Sequence, residues 1–217
     1  MIERWTLFWV LVAAQTVIAA MALAAGNADE ESVRLLVRWT FRTAVVPFLM
    51  AFCAAAFATL RPGRTAEWLL GSRKYLGLGY AYGMLLSMMA LAWLISIDQS
   101  VAWTRLSLLD RVEGYGGYAV IAALAMTSFQ RFSSRMTPTT WRLLHTVGMY
   151  GLWWVFFRTN WLYTLSAFRR GLVAEQWLYV LITASLIGAL LLRATAFVVR
   201  RRIGTPVMLP REPALGG

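Results

Sequence analysis

The chain has 217 residues, 59% of them hydrophobic, a mean hydropathy of +0.59 and a formal net charge of +11. A soluble domain is about 45–50% apolar, so the composition argues against a soluble domain with one anchor and for a chain integral to a membrane. The excess charge is not a nucleic-acid signature, because the arginines fall in short clusters between apolar runs, where membrane topology puts them.

Six apolar stretches follow one another, at residues 5–25, 43–60, 75–95, 115–129, 141–162 and 176–199. About 20 apolar residues cross the hydrocarbon as a helix. The expected fold is therefore all-α: a polytopic membrane protein forming one domain, a six-helix transmembrane bundle. The first stretch, preceded by Glu3 and Arg4, also resembles a signal peptide. Its apolar core of about 20 residues exceeds the 7–15 of a secretory leader. Cleavage would leave five spans and an external N-terminus. Pro47 in the second stretch is expected to kink the helix or mark its start. Cys53, in the same stretch, is the single cysteine, so it reads as a small core residue and has no internal disulfide partner.

The fourth stretch is short and opens with Gly114, Gly116 and Gly117. The fifth carries Trp153, Trp154, Phe156, Phe157, Trp161 and Tyr163, a mixture of interfacial belt and core. After the sixth, residues 200–217 form a basic and then Pro/Gly-containing tail, whose Arg200, Arg201 and Arg202 suit an anionic lipid surface.

Loop charge sets the direction. The connections after the second and fourth stretches and the C-terminal tail each carry a net +3, against 0, −1 and +1 after the first, third and fifth. This alternation places both termini inside. Before the second stretch, Arg34, Arg38 and Arg42 fall on one helix face, as a solvated stripe or a docking surface for an external acidic partner.

There is no dinucleotide fingerprint and no Walker loop, so no flavin or nicotinamide site is expected in this chain. Acidic residues sit only between the apolar runs and near the termini, so no buried carboxylate pair is expected for proton relay. His145 is the only histidine.

Two patterns stand out: Ser72-Arg73-Lys74-Tyr75-Leu76-Gly77-Leu78 leading into the third stretch, and Trp141-Arg142-Leu143-Leu144-His145 opening the fifth. Together they resemble the ferric-reductase-like transmembrane family, over roughly residues 35–165. That family includes the haem-binding membrane subunit of the bacterial methionine sulfoxide reductase system and the membrane part of NADPH oxidases. The resemblance implies a protein of the bacterial inner (plasma) membrane that passes electrons outward through haem b. It would be a non-catalytic oxidoreductase subunit, served by a separate inner reductase and an outer acceptor protein.

The departures are specific. The family pattern has histidine ten residues after the glycine, where this chain has Ser87, and a second histidine thirteen residues after His145, where it has Arg158. A further ligand position, if the spacing extends so far, falls on Val101. Arginine has no lone pair for a metal. One haem at His145 would need another axial ligand, and a thioether can serve. Met84 and Met88 are the candidates: the depth along the helix, about 15 Å and 21 Å beyond Lys74 at 1.5 Å per residue, favours Met84, while the family spacing favours Met88. Arg158, about 24 Å along the helix from Arg142 at 1.5 Å per residue, is expected to snorkel to the outer interface or to bind an anion, a haem propionate or a partner carboxylate there.

Two expectations remain open. One is electron transfer through at most one b-type haem at His145. The other is a haem-free member of the same fold, acting as an assembly partner, a lipid or small-ligand binder, or a sensor.

Overall fold

In the computed structural model, residues 2–25, 29–100, 107–170 and 176–203 are described. They form seven helices: α1 (Ile2–Ala24), α2 (Glu30–Leu60), α3 (Arg64–Ile97), α4 (Leu108–Thr127), the four-residue α5 (Gln130–Ser133), α6 (Pro138–Arg170) and α7 (Trp177–Ile203). There is no strand among the described residues. Each predicted apolar stretch lies largely on one of the six long helices. Four of them, α1, α2, α3 and α7, are long and apolar enough to cross a membrane.

The helices extend beyond the apolar runs because polar turns cap them. Asp29 accepts the Ser32 backbone N–H at 2.9 Å, which starts α2 thirteen residues before the apolar stretch begins. These hydrogen bonds from Ser32 hold the Asp29 carboxyl below its usual pKa. Ser107 and Asp110 form a reciprocal capping box that starts α4. As a result Arg34, Arg38, Arg42, Asp110 and Glu113 are helical residues rather than loop residues, as are Arg73 and Lys74 in α3, which starts at Arg64 without a side-chain cap. Pro47 is buried well inside α2, so it does not mark the helix start.

α1 lies in a groove of α3 made by Gly79 and Gly83. A Cβ at Gly79 would stand 2.6 Å from Leu11 Cδ1, and one at Gly83 would overlap Gln15 Oε1 and stand 3.1 Å from the Ala44 Cβ. Small residues four apart allow such close helix approach in membranes. Gln15 Nε2 donates to Gly79 O at 3.0 Å within the contact.

The main core joins α2, α3, α4, α6 and α7 through Phe48, Phe52, Tyr80, Met84, Ile121, Leu152, Trp153, Phe156 and Leu186. Phe48 meets Phe52, Tyr80 and Phe156 with ring centroids 5.2–5.6 Å apart. Cys53 packs half-buried against this cluster, as expected. Buried polar groups tie the helices: Trp153 Nε1 donates to Leu186 O at 2.9 Å, and the Thr164 and Thr183 hydroxyls are 3.0 Å apart. The aromatic run of α6 divides as expected, with Trp153 and Phe156 buried and Trp154, Trp161 and Tyr163 exposed.

Candidate functional site

Charge is segregated along the bundle. At one end, Arg34 pairs with Glu30 and Asp98, Arg38 with Glu31, and Arg158 with Asp110 and Glu113. Arg42 is buried beneath Tyr179 and Trp39, its guanidinium carbon 4.7 Å and 5.3 Å from the ring centroids. The three-arginine stripe is thus engaged within the chain. At the other end stand Arg61, Arg64, Arg73, Lys74, Arg131, Arg135, Arg142, Arg200, Arg201 and Arg202.

Two cavities succeed one another between these ends. The larger, about 440 Å³, lies toward the basic end. Its walls hold Arg73 and Lys74 from α3, Arg142 and His145 from α6 and Arg193 from α7, and, among the described residues, no carboxylate. Arg193 donates to Phe52 O at 3.0 Å and lies over the Phe52 and Tyr150 rings, 4.3 and 4.5 Å from their centroids. The Lys74 ammonium is 5.2 Å from the Phe129 ring. Among the described residues none of these four cations is ion-paired. The apolar part of the wall includes Leu70, Leu124 and Met149. Tyr80 also lines it; its side chain is buried and its hydroxyl has no hydrogen-bond partner.

His145 is held at the edge of this cavity by α4 and its own helix. Its Nε2 is 3.1 Å from Thr127 Oγ1, and its ring stacks on Trp141 at 4.2 Å. Trp141 Nε1 donates to Thr127 O at 3.0 Å, so both rings brace the C-terminus of α4. The Thr127 hydroxyl also lies 2.7 Å from Ala123 O; when it donates there it accepts from an Nε2–H ring, and when it donates to Nε2 the ring proton is on Nδ1.

The smaller cavity, about 320 Å³, lies toward the acidic end. Met84, Tyr118, Leu152, Phe156, Asp110, Glu113 and Arg158 line it. Arg158 donates from one nitrogen to Asp110 Oδ1 at 2.8 Å and to Glu113 Oε2 at 2.6 Å. Two acids one turn apart on α4 thus clamp one cation on α6. This acidic pair on a helix is absent from the sequence-based expectation, which left Asp110 and Glu113 in a loop.

A six-coordinate haem at His145 would need a second donor on the opposite face of the porphyrin. The structure divides those residues. His145 lines the larger cavity and Met84 the smaller, while Met88 is 40% exposed on α3. Ile121 belongs to both walls. Tyr80, in the wall of the larger cavity, meets Phe156, in the wall of the smaller, with centroids 5.8 Å apart. Ser87 is buried, with Tyr118 beside it. Arg158 faces carboxylates of its own chain. Val101 lies outside the described residues. His145 and Met84 thus stand on the walls of different, adjoining cavities.

Two cavity residues escaped the sequence reading. Arg193 sits in the middle of the last apolar run, and an arginine inside such a run is itself a functional signal. Tyr80 carries no local signal, since its unpaired hydroxyl is a property of the packed core.

Fold and cavities together define an all-helical protein with four helices able to span a membrane and a basic chamber walled by α2, α3, α4, α6 and α7. The chain matches no protein-family model, no curated protein and no solved structure.

Proposed function

We propose that the protein is a haem-free relative of the ferric-reductase-like membrane proteins, a binder of a lipid or small ligand in the plasma membrane of a bacterium. In this reading α1, α2, α3, α4, α6 and α7 all cross, with both termini inside. α4 and α6 are not among the four helices apolar enough to cross by composition alone, but Arg158 is paired with Asp110 and Glu113, which lowers the cost of placing these helices in the bilayer. The basic end then faces the cytoplasm and the ion-paired end faces out, in keeping with the loop charges.

The observation that carries the reading is the separation of His145 from Met84, with His145 Nε2 engaged by Thr127. In this reading the chain works without an inner reductase or an outer acceptor, and its larger cavity is open to another ligand. The test is the visible spectrum of the detergent-purified protein, oxidised and dithionite-reduced, after expression with surplus haem. The reading expects neither a Soret nor an α band. Bands that vanish in His145→Ala would replace it with the electron-transfer reading, one b-type haem held through His145. That alternative draws its support from the basic residues beside His145, whose charge suits propionates.

A further inference from the structure

The larger cavity gathers positive charge without an answering group. Building on the haem-free reading, we propose that it holds the phosphate of an anionic phospholipid, with Arg73, Lys74, Arg142 and Arg193 around the headgroup and the apolar wall along the acyl chain.

The four cations come from three helices, α3, α6 and α7, and among the described residues no Asp or Glu lines the space between them. Bringing like charges together in a bundle is unfavourable, and an anion between them reverses the sign of that interaction. Arginine and lysine at the cytoplasmic mouth of a helix bundle are a recurrent receptor for phosphate headgroups. Phosphate fits better than a lone carboxylate, because its several oxygens can engage more than one guanidinium fork.

The apolar residues decide for a lipid over free phosphate. Leu70, Leu124 and Met149 continue the wall beyond the charges, and an acyl chain covers them where a small ion leaves them in water.

The experiment uses the full chain, delipidated in detergent, with phosphatidylglycerol and phosphatidylcholine of identical acyl chains followed by native mass spectrometry. Phosphatidylglycerol is expected to bind at least about tenfold more tightly. A cation near the membrane surface is worth about fivefold in affinity, so Arg73→Gln with Arg142→Gln should weaken binding about 25-fold. Arg131→Gln with Arg135→Gln, exposed and outside the cavity, should leave it unchanged. Gly77→Leu is a charge-preserving block: Gly77 lines the cavity, and a Cβ there meets no atom within 4 Å. It should lower lipid affinity while keeping the melting temperature.

Equal affinity for the two lipids would overturn the proposal, as would undiminished binding by a folded Gly77→Leu chain. Glycerol phosphate binding as tightly as the lipid would overturn the lipid assignment in favour of a soluble phosphate. Haem in the purified chain refutes the haem-free reading whatever the lipids do. Equal lipid affinities in a haem-free chain refute this proposal alone.

Discussion

Gly83→Ala isolates the contact that seats α1 in the bundle. In an ordinary helix interior alanine is favoured over glycine by about 1 kcal/mol. At Gly83 the added methyl overlaps Gln15 Oε1 and stands 3.1 Å from the Ala44 Cβ. Gln15 must turn away, which removes its 3.0 Å hydrogen bond to Gly79 O. Losing a buried hydrogen bond costs about 1–3 kcal/mol, overpacking a further 1–3, and the propensity gain offsets about 1, leaving a net destabilisation of about 1–5 kcal/mol. Gly151→Ala is the matched control, since a Cβ there meets nothing within 4 Å and α6 gains propensity alone. Thermal unfolding in detergent, followed by tryptophan fluorescence, should place Gly83→Ala clearly below the parent and Gly151→Ala at or above it. Equal melting temperatures for the two variants would refute the claim that α1 is seated by the glycine groove.

Other predictions follow from the charged ends. Arg158→Met leaves Asp110 and Glu113 without their cation and should cost about 1–3 kcal/mol, the range between exposed and buried pairs; adding Asp110→Asn and Glu113→Gln should restore most of the melting temperature, and absence of rescue would disprove the clamp. The depressed pKa of Asp29 predicts that its cap stabilises the fold above the unfolded carboxyl value and ceases to do so as pH falls through the folded one. The melting-temperature deficit of Asp29→Ala should therefore be present at neutral pH and shrink in acid, and a deficit independent of pH would rule the carboxylate out. In a Cys53→Ser background, a membrane-impermeant maleimide should label Glu31→Cys in intact cells and Arg135→Cys only after lysis; the reverse pattern would invert the orientation.

The six long helices were legible because long apolar runs have one common structural solution in lipid. Their ends were not, because Asp29 and Ser107 extend α2 and α4 into charged sequence by local capping. The partners of the charges were largely hidden. Glu30 and Arg34 stand four apart and were readable as a helix pair, but Arg158 lies 45 and 48 residues from Glu113 and Asp110. Only the packing of α4 on α6 brings them together. The Gly79–Gly83 spacing was present as a helix-packing signal, whereas the residue that fills the groove, Gln15, is 64 positions from Gly79. His145 was prominent as the sole histidine, but its engagement by Thr127 and Trp141, and its separation from Met84, depend on how the core aromatics divide the two cavities.

The haem-free reading is tested most directly by iron. The full chain, produced with surplus haem and purified in detergent, should contain far less than one iron per polypeptide by elemental analysis. Close to one iron per chain, lost in His145→Ala protein of unchanged melting temperature, would contradict it and make His145 a haem ligand.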